Sequence, residues 1–464
     1  MRRRERTDSD GPRVPAATAP KEAAPAAQWT RRAARRGGRA SRVRKWLRNE
    51  KSPDGEPPGA GQEVTDPHPG KVTWPIDDHT VAKHKLLESY LGAWLPILAS
   101  WSKGLNFIDG FAGPGEYEGK EEGSPVIALR AATEHKLRLP SEIHFLFIES
   151  NEARAVHLRE LLGSRFPNLP NGWEYLVEST SFDRGVTAIL DEFDKRGTKL
   201  APTLVFVDPF GFTEFPMATL KRILETRHCE VFVTFMSGFV SRFLEEDRAG
   251  ALDALFGCSD WRTAKALHGQ DRIDCLVNLY ERQLRASRAD VLARSFEIRG
   301  SNDRALYHLV FATRSLRGLE EMKEAMFRLD KLGLYRFSDY LGLHQKTLLD
   351  YSPESPAPWT RAAALLTWEH FGGKRVDEDQ VYRWTIVASP YVYRTREVLA
   401  TLEDAGAICD VTGRVKRRSF PDGSSMRFTD WPGREAASRA LEIGAKPGPS
   451  RSGPLSSGPR SPSP

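Results

Sequence analysis

The chain has 464 residues and a formal net charge of +6, long enough for two folded units with tails. Its four cysteines (Cys229, Cys258, Cys275 and Cys409) stand apart, with no Cys-x-x-Cys pair and no histidine at ligand spacing, so they offer no metal site and fit a reducing cytoplasm. No apolar run approaches the roughly 20 residues of a membrane span, and the Arg-rich start has no apolar core behind it, which argues against a membrane protein or a secretory signal.

The charge is unevenly spread. Residues 1–70 hold 16 Lys and Arg against 9 Asp and Glu, while the rest holds 52 against 53. The segment 31–48, R-R-A-A-R-R-G-G-R-A-S-R-V-R-K-W-L-R, reads either as a solvated disordered arm or as a phosphate-binding stretch with Trp46 for stacking. Ordered chain is expected from about Trp74. From Thr80, Val81, Leu86, Leu87, Tyr90, Leu91, Trp94, Leu95 and Leu98 recur at helical spacing, with Lys83 and Lys85 off that face. Pro96 should kink or end this helix.

Leu105, Phe107 and Ile108 then suit a buried parallel strand. It stops at Asp109, and Gly110, Gly113 and Gly115 follow within six residues. Glycines there let backbone approach a ligand closely. A carboxylate at that point accepts from hydroxyl or ammonium groups and repels phosphate, which favours a nucleoside ligand without a pyrophosphate. A charged insert, Glu116–Glu122, leads to Ser124-Pro125 as a helix start. The strand I-H-F-L-F-I ends at Glu149, and the next helix places Val156, Leu158, Leu161 and Leu162 inward. W-E-Y-L-V-E gives way to Ser179-Thr180-Ser181, and T-L-V-F-V ends at Asp208-Pro209-Phe210-Gly211. Further on come helix 217–224 and the run E-V-F-V-T-F-M. Strands alternating with helices at this spacing mean parallel βαβ units. F-E-I-R-G and A-L-Y-H-L-V-F-A-T-R read as an antiparallel pair closing the sheet.

Asp109, Glu149, Ser181 and Asp208 all fall at the carboxyl ends of successive strands, where an open α/β sheet forms its ligand crevice. A single Asp at a strand end is ordinary turn chemistry. Four along one edge, with a glycine loop at the first, point to a binding site. No G-x-x-x-x-G-K-[ST] is present, and the glycines read G-x-x-G-x-G with an insert behind them rather than the G-x-G-x-x-G of hydride-transfer enzymes. Ser237 and Ser241 have no His–Asp pair that can be placed beside them, so serine hydrolysis lacks support. Phe235 and Phe239 read as core rather than as walls of a substrate pocket.

D-G-F-A-G-P-G at 109–115 is similar to the D-x-F-A-G-x-G first motif of class I S-adenosylmethionine-dependent methyltransferases, as found in members acting on nucleic-acid amino groups. D-P-F-G at 208–211 resembles their D/N-P-P-Y/F motif, with Phe210 in place of the second proline and Gly211 in place of the aromatic. Over Lys71 to about Tyr351 the chain resembles the three-Cys-motif partner family, on F-I-D-G-F-A-G-P-G, Gly123-Ser124-Pro125, F-I-E at 147–149, F-V-D-P-F-G at 206–211, V-T-F-M at 233–236 and Y-H-L-V-F-A-T-R-S at 307–315. The resemblance implies a Rossmann-like class I methyltransferase sheet, mostly parallel with an antiparallel last strand, in a bacterial cytoplasmic protein. It implies S-adenosylmethionine held by Asp109, Gly110, Phe111, Gly113, Gly115, Glu149 and Ser181, with Glu149 on the ribose. Ser181 stands where many members have an Asp facing the adenine, and Asp183 is close. Asp208, Pro209 and Phe210 would face an acceptor amine, with Phe210 or Phe212 left to stack on it. A separately encoded partner bearing a three-cysteine, radical-SAM-like motif is also implied.

Beyond Pro358 a second unit is expected, with boundaries near 352–432 after a first domain over 71–351. Leu365, Leu366, Trp368 and Phe371 form one helix face ended by Gly372-Gly373. Val381, Trp384 and Ile386 mark a second helix, and Val398, Leu399 and Leu402 a third. The hairpin V-K-R-R-S-F, P-D-G-S, M-R-F-T follows. Three helices and a hairpin resemble the winged-helix domain at this end of related proteins. Arg394, Arg396, Lys416, Arg417 and Arg418 could contact phosphate, and a protein-binding or scaffolding role is the alternative. Residues 433–464 read as a mostly disordered Pro/Ser/Gly tail. The competing class for the whole chain is a nucleic-acid- or partner-binding module with an idle Rossmann-like half.

Overall fold

Strands β1 (Gly104–Asp109), β2 (Glu142–Ile148), β3 (Trp173–Glu178), β4 (Thr203–Val207), β5 (Cys229–Phe235), β6 (Leu292–Arg299), β7 (Ala305–Thr313) and β8 (Arg336–Ser338) lie side by side in the order β3-β2-β1-β4-β5-β7-β6-β8. All neighbours pair in parallel except those of β7, which runs against both β5 and β6. The computed structural model describes His68 and residues 70–300, 303–329, 336–338, 358–392 and 395–444, which belong to one compact unit. The fold is the expected Rossmann-like, mostly parallel sheet, with β8 as an additional edge strand. The basic segment 31–48, Trp46, Arg394 and the tail beyond 444 lie outside the described residues.

Side chains alternate across this sheet with the period of two that a strand imposes. On one face Phe107, Phe145, Phe147, Phe206 and Phe232 pack under α1 (Asp78–Ala99), α2 (Ser124–Thr133), α3 (Glu152–Arg165) and, later in the chain, Leu316–Leu329. On the other, Ile108, Val205, Val207, Val231 and Val233 pack under α4 (Phe182–Lys195), α5 (Met217–Glu225), α6 (Ser237–Val240), α7 (Ala249–Phe256) and α8 (Gly269–Arg285). The first helix runs one turn past Pro96 before stopping at Ala99. Val156, expected to face inward, is exposed, whereas Leu158 and Leu162 are buried. The helix therefore meets the sheet along the other side of that turn.

Successive strands are added outward from β1 in one direction and from β4 in the other, so the topological switch falls between these two neighbours. Asp109 pairs in register with Phe147 on one side and Phe206 on the other. Glu149 and Asp208 therefore stand two residues beyond their register mates, one strand spacing of about 4.8 Å to either side of β1.

The C-terminal part comprises α10 (Pro358–Phe371), β9 (Arg375–Asp377), α11 (Glu378–Val387), α12 (Thr395–Asp404), β10 (Ile408–Thr412), β11 (Ser425–Phe428) and α13 (Arg434–Gly444). Its helix α11 begins with a reciprocal Asp377–Gln380 capping box. The hairpin differs from expectation. Its first strand is Ile408–Thr412, and V-K-R-R-S-F forms the loop, where Val415 is almost fully exposed. Helix α13 occupies residues where a tail was expected, burying Ala437 and Leu441 against this third core.

A buried lysine joins this part to the rest of the fold. Lys323, on the helix Leu316–Leu329 (α9), donates to the carbonyls of Thr385 (2.6 Å), Ile386 (3.2 Å) and Ser389 (2.9 Å) at the C-terminal end of α11. Arg294 adds bonds to the Val387 and Ser389 carbonyls, and the Tyr382 hydroxyl donates to Glu320 at 2.9 Å. Burial and then Arg294 push the Lys323 ammonium well below its ordinary value, while Glu320 and the negative end of the helix favour its charge. Lys323→Met should leave those carbonyls short of a donor and lower the unfolding free energy by about 1–3 kcal/mol, read from urea melts. An unchanged melt would show that the joint holds without it.

Candidate active site

Asp109 is fully buried at the end of β1. Its Oδ1 accepts the Phe111 amide at 3.2 Å, whereas Oδ2 is buried without a hydrogen-bond partner. Gly110 is required by crowding, because a Cβ there would fall 2.3 Å from the Phe182 ring. Gly115 has φ +83 and would drive a Cβ within 2.6 Å of Leu158. The insert folds back on itself through Tyr117 N–H to Glu121 O (3.0 Å) and Gly123 N–H to Gly115 O (2.8 Å), so α2 starts beside the loop it left.

Glu149 fastens this loop from the next strand. Its Oε2 accepts the Gly113 amide (2.9 Å) and its Oε1 the Asn151 amide (2.8 Å), and each oxygen keeps a second acceptor site. Ser181 is the N-cap residue of α4 but makes no side-chain cap bond. Asp183 is turned away to the hydroxyls of Thr219 and Thr187. Phe111 packs between Phe182 (centroids 5.8 Å) and Phe215 (6.2 Å), so it braces the loop.

Asp208 stands on the other side of Asp109, and its Oδ2 lies 2.5 Å from Lys83 Nζ. The sequence reading placed Lys83 off the apolar face of α1. It is instead buried, because position 83 lies three and four residues before Leu86 and Leu87, on the same stripe. That spacing was the available signal. His84, Tyr117 and Trp74 were also missed. The Tyr117 ring lies 5.9 Å from His84 and 6.0 Å from Trp74. Trp74 is held by its carbonyl on the Glu118 amide (3.0 Å) and lies under the Arg154 guanidinium (4.8 Å). Phe210 is 46% exposed with its ring 5.4 Å from Trp74, whereas Phe212 is buried against Phe239, which leaves Phe210 as the available stacking face.

One expectation needs correcting. Ser237, which had no histidine assigned to it, shares a 2.7 Å hydrogen bond with His308 Nδ1. The strand pairing Phe235↔His308 brings them together. Ser237 is fully buried, so the pair offers no accessible nucleophile. Phe235 is buried in the core, as expected. Among the described residues no cluster of His, Cys, Asp and Glu could hold a metal ion, and no helix is long and apolar enough to cross a membrane.

Burial dominates the electrostatics. It pushes Asp109 up from 3.8 to about 7, opposed by Ser124 and the Phe111 amide and reinforced by Asp208 and Glu149. Glu149 is also raised by burial, against the pull of the Asn151 amide, Arg154 and the Gly113 amide. Burial and then Lys83 hold His84 down at about 3, although Asp208 opposes them, so its imidazole is neutral at physiological pH. Tyr117 is raised by burial and by Asp208, Asp109 and Asp77. The folded chain thus binds the Asp109 proton more tightly than the unfolded chain. The resulting stability is complete below pH 3.8 and is lost as pH rises through about 7. Its slope is at most about 1.4 kcal/mol per pH unit. Urea unfolding across this range should show Asp109→Asn lacking that part of the slope, and parallel wild-type and variant curves would contradict the assignment.

No family model matches the chain, and no curated protein matches it. Among solved structures it is similar to Trm1 from Pyrococcus horikoshii in complex with S-adenosyl-L-methionine, at 14% identity and a TM-score of 0.30, over 55% of this chain and 62% of that one. That likeness spans less than two thirds of the Trm1 chain. A DUF519 protein from Legionella pneumophila matches at 14% identity and a TM-score of 0.35, over 56% of this chain and 94% of that one. The cyclopropane synthase MmaA2 from Mycobacterium tuberculosis matches at 10% identity and a TM-score of 0.23, over 58% and 76%.

Proposed function

We propose that this chain is an S-adenosylmethionine-dependent methyltransferase of the three-Cys-motif partner family, acting on an amino group. The observation that carries the reading is the buried, unpartnered Oδ2 of Asp109 at the switch point of the sheet. A buried polar atom without a partner is costly, and a ligand that donates to it removes the cost. The cofactor's ammonium is such a donor. Its sulfonium is a cation suited to a rim carrying Asp109 and Glu149, and its lack of phosphate suits the same acids.

When bound, the cofactor supplies a methyl group already activated by sulfur, so alignment is the main demand on the protein. Asp109 would accept from the ammonium. Glu149 would accept from a ribose hydroxyl while still holding Gly113, and Ser181 would meet the adenine end. Asp208 and the Pro209 carbonyl would take the N–H bonds of the acceptor amine and leave its lone pair free. Phe210 would offer that acceptor a flat apolar face.

The proposed partners are a three-cysteine-motif, radical-SAM-like protein and nucleic acid. For the second, a winged-helix reading of the C-terminal part is supported by α10, α11 and α12 with the hairpin β10–β11; α13 is an additional helix. Arg414, Arg417 and Arg418 are already ion-paired to Glu403 or Asp404, so phosphate would compete with those contacts.

Calorimetry should find S-adenosylmethionine binding that weakens by at least about tenfold in Asp109→Ala and in Glu149→Ala. Absence of wild-type binding sinks the proposal. Asp208→Ala should keep cofactor affinity while losing tritium transfer from labelled cofactor into fractionated lysate. Cofactor binding with no transfer from the wild type would favour the idle binding module instead. A cation beside Asp109 also favours its ionised form. Binding near pH 6.5 should therefore release up to one proton, seen as an enthalpy that depends on the buffer's ionisation heat.

A further inference from the structure

Resting on the reading of Asp208 as the acceptor-side carboxylate, we propose that Lys83 selects the charge of the acceptor. It excludes alkylammonium ions and admits nitrogens that are uncharged at neutral pH, such as aryl and heteroaryl amines.

The argument begins with what a lone carboxylate would do. In a crevice of low effective dielectric, an unpaired Asp208 would draw in ammonium ions and hold them protonated. A protonated nitrogen has no lone pair and cannot take a methyl group. Lys83 prevents this. Its Nζ lies 2.5 Å from Oδ2, and the two side chains are only 9% and 17% exposed, so little water screens the pair. From a few ångströms away the two charges nearly cancel. An incoming ammonium next to Asp208 would also sit close to the Lys83 charge.

Beside the pair the further attractions are weaker: the Asp77 carboxylate, which acts on Tyr117, and the aromatic faces of Tyr307 and Phe210. His84 is neutral, and the raised Tyr117 hydroxyl keeps its proton. The Tyr307 ring lies 5.8 Å from Lys83 Nζ, and its hydroxyl donates to the His79 carbonyl at 3.1 Å, which braces the wall behind the lysine. Asp109 and Glu149 lie on the proposed cofactor side, where the ammonium shared by S-adenosylmethionine and S-adenosylhomocysteine would face them. An uncharged amine meets no such repulsion. It can donate to Oδ1 of Asp208 and to the Pro209 carbonyl while its lone pair points away. If its nitrogen is carried on a ring, exposed Phe210 gives that ring a face to lie on.

The test uses the full chain saturated with S-adenosylhomocysteine, which fills the cofactor site without reacting, and two probes, propylammonium and aniline. Dissociation constants are read by NMR titration. Wild type and Lys83→Arg should bind aniline at least about tenfold more tightly than propylammonium. Lys83→Met should tighten propylammonium by at least about tenfold and leave aniline within about twofold, and adding Asp208→Asn should erase the gain. Lys83→Gln serves as the neutral variant if the methionine form does not fold. A purely structural lysine would change both probes together. A propylammonium-to-aniline ratio unchanged in the neutral variant, including no measurable binding of either probe, overturns the Lys83 assignment. Failure of S-adenosylhomocysteine to bind at all overturns the methyltransferase reading beneath it.

Discussion

The structure turns on an acid kept out of water. Asp109 ends a strand that buries Leu105, Phe107 and Ile108, and its carboxyl group has one amide and one hydroxyl for company where water would offer several partners. Such a group is tolerated only if the scaffold over-determines its place. The neighbouring strands do this, and so do the bond from Gly113 to Glu149 and the ring of Phe182 seated against Gly110. Each of these features would be unnecessary around an ordinary turn. Together they make a rigid rim in which the energetic penalty is confined to a single oxygen.

The side proposed for the acceptor is built on the opposite principle. Asp208 is not left unsatisfied but is matched by a lysine delivered from a helix that precedes the sheet in sequence. Neighbouring strand ends therefore hold an acid with one oxygen unpartnered and an acid already paired with a cation.

Much of this was legible before any coordinates. Period-two apolar runs and glycine punctuation located the first seven strands, and the polar residues at their ends located the crevice, because strand ends in a parallel sheet share an edge. What stayed hidden has physical causes. Lys83 looked solvent-facing because lysine usually is, although its spacing from Leu87 put it inside. Tyr117 was concealed within a charged insert whose fold-back depends on a backbone bond between Gly115 and Gly123. The Ser237–His308 contact joins residues 71 positions apart and follows only from strand register. Loop and strand were exchanged in the C-terminal hairpin, where V-K-R-R-S-F forms the loop and β11 pairs instead with the short run from Ile408.

Lys323 gives the C-terminal helices more than an attachment. The helix bearing it lies against α1, where Arg328 donates to Ser89 at 2.9 Å, and α1 also carries Lys83. The C-terminal helices and Lys83 are thus joined through two packed helices, the one bearing Lys323 and α1.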